Sequence, residues 1–312
     1  MQDYKFRPFL TTQLMRPVTT GRIVHAQIFA GPDGTGKHSA ALMVSQALNC
    51  TSAGTKPCGV CPSCLRFRDD NAPDLIEIRR EPDKTTIPVD MIREMIGKVA
   101  LSPEGRYKCV IINEAERMAA PAQNALLKTL EDAPEYAVFY LLTRSYTSLL
   151  PTIRSRCQLL RFPPLSIDET QKALVEAGID ASVAKKAAPL SFGSVGKALA
   201  ISRDSAYLSD VDELEALFGR FRGPSDIAFI APELAKFKKQ PRRMLEILEE
   251  SAEELMQDRP VNPVALALKR NGHDGSKLMY AVIECLKKLD SHVTYQYAAE
   301  MLLYDMTRIS NV

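Results

Sequence analysis

The chain has 312 residues, 46% of them hydrophobic and 25% charged, with a formal net charge of +2. This is ordinary globular composition, with material for two or three domains and a sizeable core. It excludes a strongly basic chain that grips nucleic acid by charge alone, and no apolar run reaches the roughly 20 residues that span a bilayer.

In chain order, Met1-Gln2-Asp3-Tyr4-Lys5-Phe6-Arg7 lacks the apolar stretch of a signal peptide, so a cytoplasmic location is expected. Residues 1–26 read as helix and loop leading to a first strand. His25, just before that strand, reads as a hydrogen-bonded structural residue rather than a catalytic base. The apolar run Gln27-Ile28-Phe29-Ala30 predicts the strand, and Gly31-Pro32-Asp33-Gly34-Thr35-Gly36-Lys37-His38-Ser39 follows directly. This is a phosphate-loop pattern, and the helical periodicity of 40–48 supplies the strand–loop–helix context that gives it meaning. Gly31, Gly34 and Gly36 let backbone N–H groups turn toward an anion, the helix N-terminus adds positive potential, and Lys37 reaches for the outer phosphates. The next residue should offer a hydroxyl to magnesium, but it is His38. Ser39 does not substitute, because one step along a helix turns a side chain by roughly 100°.

Cys50, Cys58, Cys61 and Cys64 follow that helix with x7, x2 and x2 spacing. Cys-x-x-Cys pairs bring thiolates together on one tetrahedral ion, and Pro57, Gly59 and Pro62 supply the turns, so a structural zinc site is expected. The alternative is a reduced, metal-free loop. Cys109, Cys157 and Cys285 are scattered and read as small buried apolar residues.

A short strand is predicted at 75–78 and a helix at 89–96. Cys109-Val110-Ile111-Ile112 is a continuous apolar run, suited to a strand buried on both faces. Asn113 and Glu114 stand at its carboxyl end, where parallel sheets bind ligands. In phosphate-loop ATPases the first of these positions is an aspartate that helps hold magnesium, and the next carboxylate orients water. Glu114 suits the second role, while Asn113 places a neutral amide in the first. Two magnesium-handling positions, His38 and Asn113, are thus altered in the same direction, which predicts weak or absent hydrolysis.

A helix bounded by Pro121 and Pro134 comes next, with Leu126, Leu127 and Leu130 on one face. A strand at 136–142 ends at Thr143, again at the ligand edge, and a last strand is expected at 158–162. Alternating strands and helices imply a parallel α/β sheet. Beyond Pro163 the strand signals vanish. Helices are expected at 167–177, 181–188 and from Gly193, then at 244–256, 263–270, 277–289 and 295–308.

With these pieces in place, the chain resembles the bacterial clamp-loader subunits of the AAA+ ATPase class. The likeness rests on Gly21-Arg22-x-x-His25-Ala26, the four-cysteine insert, Asn124-Ala125-Leu126-Leu127-Lys128-Thr129-Leu130-Glu131 and Ser155-Arg156-Cys157. It runs over about residues 1–200, and the rest matches in length and helical character only. The resemblance implies an AAA+ P-loop core with a parallel sheet and a zinc-binding insert (residues 1–164, insert 50–64). It further implies a small helical lid (165–204) and an all-α collar for oligomerisation (205–312). It is closer to the delta prime type of subunit than to the hydrolysing tau/gamma type, which carries Thr or Ser at His38, Asp at Asn113 and an arginine at Gly196.

The resemblance also implies that Arg156 projects into a neighbouring subunit's ATP site and stabilises charge there, with Arg154 a nearby decoy. The expected role is a non-hydrolysing subunit of the DNA polymerase III clamp loader, working beside tau/gamma and delta subunits to place the sliding clamp on primed DNA. Its cofactor would be structural zinc, with ATP and magnesium doubtful at its own loop. The rivals are an active ATPase subunit and a stand-alone, zinc-stabilised DNA-binding module.

Overall fold

A computed structural model describes residues 8–291 and 293–307. The first seven residues and the last five lie outside it. The described residues divide into two units. One runs to Ala181 and takes in Phe192–Ala198; the other comprises Ser182–Ser191 and everything from Leu199.

The first unit is built on five parallel strands: β1 (Ala26–Ala30), β2 (Leu75–Ile78), β3 (Lys108–Ile112), β4 (Ala137–Thr143) and β5 (Gln158–Arg161). Their spatial order is β2-β3-β4-β1-β5, so β1 is an interior strand and its phosphate loop emerges between β4 and β5. Ala30 pairs with Thr143 on one side and Arg161 on the other. Helices α1 (Pro8–Thr20), α2 (Lys37–Asn49), α3 (Pro62–Arg68), α4 (Val89–Val99), α5 (Ala120–Glu131), α6 (Pro151–Arg154) and α7 (Ile167–Glu176) complete the unit.

The sheet is buried on both faces because strand side chains alternate. Ile28, Val110, Ile112, Phe139 and Leu141 meet α4 and α5 through Ile92, Met95, Leu126 and Leu130. Their neighbours Phe29, Cys109, Ile111, Val138 and Tyr140 meet α1 and α2 through Leu14, Ala40, Ala41, Val44 and Leu48. Phe29 lies between Tyr140 and Phe162, with ring centroids 5.4 and 4.9 Å away. Each such buried side chain contributes about 1.5–3 kcal/mol.

The second unit is all helical: α8 (Ala181–Ala187), the body of α9 (Val195–Arg203), α10 (Ser205–Phe218), α11 (Ile227–Leu234), α12 (Pro241–Met256), α13 (Pro263–Arg270), α14 (Gly275–Asp290) and α15 (Tyr295–Thr307). The buried Glu254 carboxylate accepts from the N–H groups of Val261 and Asn262, and Asn262 in turn caps α13 by accepting from Ala265. Among the described helices, α3 and α6 carry no expectation from the sequence, and α10 and α11 fall in the region expected to be all-α without ranges of their own. The available signals were Pro62 at the first turn of α3 and the Asp204 side chain, which accepts from Tyr207 and starts α10.

Candidate functional site

The phosphate loop has the backbone the sequence demands. Gly34 and Gly36 adopt φ of +69° and +85°, which L side chains rarely take. Gly31 is required for a different reason: a Cβ there would stand 2.0 Å from the Phe162 carbonyl oxygen. No side chain caps α2, so the loop ends in a bare helix N-terminus. Lys37 is nine-tenths buried, and its Nζ donates to the carbonyls of Gly31 and Pro32, each at 2.6 Å. Burial lowers its pKa, against the opposing pull of Asp33 and Glu116.

The residues flanking the loop turn away from it. His38 Nε2 lies 3.2 Å from both carboxylate oxygens of Glu77 on β2, and Arg79 Nε donates to the same carboxylate at 2.8 Å. Burial pulls the Glu77 carboxyl upward, but the bonds from His38 and Arg79 outweigh it and hold the group below its ordinary value. Asn113 donates its side-chain amide to the Ile78 carbonyl at 3.3 Å. Thr143 closes a local turn with Ser145, accepting from its N–H and donating to its carbonyl. Ser39 continues along α2.

Glu114, in a left-handed conformation at the end of β3, is held by Arg80 at 3.1 Å. Arg144 bridges Asp33 of the loop at 3.2 Å and Glu116 at 3.3 Å, with Glu114 at 3.9 Å. The ligand edge therefore carries carboxylates already matched by guanidinium groups. Opposite the loop, the N–H groups of Val195 and Gly196 reach the Gly34 carbonyl at 3.0 and 3.5 Å. Glu77, Arg79, Arg80 and Arg144 carried no site expectation. Their signal was position, since each stands at or beside the carboxyl end of a parallel strand.

The four cysteines converge. Cys50, Cys58, Cys61 and Cys64 present sulfur atoms that all lie within 4.8 Å of one another, and the pairs 50–61 and 58–64 are 4.0 and 3.9 Å apart. A tetrahedral ion with metal–sulfur bonds of about 2.3 Å needs sulfurs about 3.8 Å apart, so the donor set fits zinc. Two backbone amides face the sulfurs: Cys61 N–H donates to Cys58 Sγ at 3.3 Å and Cys64 N–H to Cys61 Sγ at 3.5 Å. The Cys64 amide, with help from Thr51, draws the Cys61 thiol down to about 5, while burial pushes Cys64 up to about 12. Behind them, Gln46 donates to the Cys64 carbonyl at 2.9 Å.

Arg156 lies away from the loop, on the turn that follows α6. Its Nη2 pairs with Glu131, the last residue of α5, and its Nη1 donates to the Thr152 carbonyl and Ser155 Oγ at 3.0 and 3.2 Å. Arg154 stacks over Tyr146, 5.2 Å from the ring centroid. His25 Nε2 stands 3.2 Å from the Leu130 carbonyl near the end of α5, a contact of the structural kind expected for it.

A family profile described as "DNA polymerase III, delta subunit" matches residues 7–166. The DNA polymerase III subunit delta' of Bacillus subtilis (strain 168) is 32% identical over 206 residues, covering 65% of this chain and 61% of that protein. The DNA polymerase III subunit tau of Escherichia coli (strain K12) is 36% identical over 165 residues, which is 52% of this chain and 25% of tau. The chain therefore spans about three-fifths of the first relative and a quarter of the second. The crystal structure of a DNA polymerase III gamma subunit-related protein from Thermotoga maritima superposes with a TM-score of 0.52 at 19% identity, covering 96% of this chain and 100% of that one. That likeness shows the fold, a parallel α/β core followed in the chain by helices. The chain belongs to the DNA polymerase III delta subunit family, and its resemblance is to clamp-loader subunits of the delta prime type.

Proposed function

We propose that the chain is a non-hydrolysing subunit of the DNA polymerase III clamp loader that serves its neighbours' chemistry rather than its own. One observation carries the reading. Both positions that would manage magnesium are committed elsewhere, His38 to Glu77 and Asn113 to the Ile78 carbonyl. Hydrolysis of a nucleoside triphosphate needs a cation bridging its phosphates, and a histidine engaged with a carboxylate does not supply an oxygen ligand for one. Gly31, Gly34, Gly36 and Lys37 still form a loop able to hold phosphate, so nucleotide binding without turnover is compatible with the reading.

Arg156 supplies the contribution to the neighbour. A guanidinium delivered from one subunit to the ATP site of the next stabilises charge as the phosphoryl group leaves, an effect of about 10³–10⁵-fold in related systems. The Cys50, Cys58, Cys61 and Cys64 thiolates would hold zinc, which fixes the insert by cross-linking residues a small loop could not otherwise order. Residues 205–312 would form the collar that joins this subunit to the tau/gamma and delta subunits. The assembly, in the cytoplasm, would then load the sliding clamp onto primed DNA. Among the described residues no helix is long and apolar enough to cross a membrane.

Two measurements test this. The purified chain should release phosphate from ATP no faster than its Lys37→Ala variant; turnover well above that control would make it an active ATPase subunit. In a reconstituted clamp loader, Arg156→Ala should sharply reduce ATP hydrolysis, and an unchanged rate would remove the arginine from the mechanism.

A further inference from the structure

The ion pair between Arg156 and Glu131 points to a role for the glutamate. We infer that Glu131 is a displaceable counter-ion: it occupies the anion-binding edge of the Arg156 guanidinium until a phosphate from the neighbouring subunit takes its place. The inference rests on the reading of Arg156 given above.

The geometry is specific about which donors are committed. Nη1 is tied to its own turn through the Thr152 carbonyl and Ser155 Oγ, which fixes the plane of the guanidinium. Nη2 carries the bond to Glu131. A guanidinium offers two two-pronged edges to an oxyanion, and Nη2 belongs to both. An incoming phosphate that takes two parallel N–H bonds must therefore share or displace the carboxylate.

Displacement is cheap, because the Arg156 and Glu131 side chains are 35% and 45% exposed. Pairs this open to water hold weakly. A phosphate carrying more charge than a carboxylate wins when it is correctly positioned, and stray anions of single charge do not.

Glu131 is also in a position that helix stability does not explain. It is the last residue of α5, where the helix dipole disfavours a carboxylate. The backbone around it is firmly held. Leu130 is buried in the same core as Ile153 of α6, and Gln123 of α5 accepts from the Leu150 N–H at 2.8 Å. The two side chains thus face each other from elements that do not move apart easily, and the pair opens by rotation of side chains alone.

The test uses the reconstituted clamp loader, with ATP hydrolysis measured without clamp or DNA. Glu131→Gln keeps the shape and removes the charge. It should raise the basal rate about two- to fivefold, the range set by exposed ion pairs. Glu131→Asp, which keeps the charge, should return the rate toward the parent value. The double variant Glu131→Gln/Arg156→Ala should behave as Arg156→Ala alone. Thermal unfolding of the Glu131→Gln chain should match or exceed the parent, which separates this role from a structural one. If Arg156→Ala has no effect, the reading of the arginine fails and the counter-ion falls with it. If Arg156→Ala slows hydrolysis but Glu131→Gln leaves the rate unchanged or lowers it, the arginine stands and the counter-ion is overturned. A double variant faster than Arg156→Ala would likewise overturn it.

Discussion

The His38 imidazole faces the Glu77 carboxylate across 39 residues of sequence, with Nε2 3.2 Å from both oxygens. The pair joins the first turn of α2 to the edge strand β2, and Arg79 closes it from outside at 2.8 Å. The residue that follows Lys37 is thereby part of the scaffold.

That role predicts a pH dependence. The folded-state pKa of Glu77 is depressed, so its contribution to stability is present above the ordinary carboxylate range of about 4.3 and is lost as pH falls through the lower folded value. Glu77→Gln should be less stable at pH 7 by about 1.5–3 kcal/mol, the scale of hydrogen bonds to a charged group. The gap should close on acidification below about pH 4. Urea unfolding at the two pH values measures it, and a gap that stays constant would mean that the carboxylate's charge is not what matters.

The cysteine cluster predicts about one zinc ion per purified chain. Cys61→Ser should lose the metal and lower the melting temperature, because the ordering of the insert depends on the ion. Cys157→Ala, remote from the cluster in sequence and in the fold, should keep full metal content. Elemental analysis of the three proteins decides the matter, and a metal-free parent chain would reject it.

Glycine positions give opposite signs. A methyl group at Gly31 would stand 2.0 Å from the Phe162 carbonyl, and that backbone cannot retreat because the Phe162 N–H bonds the Ala30 carbonyl at 2.7 Å. Gly31→Ala should destabilise the chain by about 1–3 kcal/mol, as overpacking does. Gly97, inside α4, has open space around its Cβ position, so Gly97→Ala should stabilise by about 0.5–1 kcal/mol. Thermal melts that ranked the two alike would contradict the loop geometry.

Asn49, one residue before the first cysteine of the cluster, ties down residues 106 and 107. At the end of α2 its Oδ1 accepts from the N–H groups of Arg106 and Tyr107 at 3.0 and 2.9 Å, and its Nδ2 donates to the Tyr107 carbonyl at 3.0 Å. Asn49→Ala would leave three part-buried backbone groups without these bonds, at a cost of about 1–3 kcal/mol. Faster amide exchange at residues 106 and 107 than in the parent protein would locate that loss, and unchanged exchange would refute it.

Period and spacing alone determined a great deal of this protein. The run Cys109-Val110-Ile111-Ile112 could only be satisfied by a strand covered on both faces, and both faces are covered. The cysteine spacing announced a convergence of thiols, and Gly31 to Lys37 announced a phosphate loop, because each motif lies within a few residues of chain and its geometry is local. Partnership across the fold was not legible in this way. That His38 would meet Glu77, that Asn113 would turn to Ile78, that Arg144 would gather Asp33 and Glu116, and that Glu131 would cover Arg156 all depend on strand order. The β2-β3-β4-β1-β5 arrangement brings the first three of these pairings to the carboxyl edge of the sheet and leaves Glu131 and Arg156 away from it, since pairings between distant segments carry no periodic signature and form where the backbone places them.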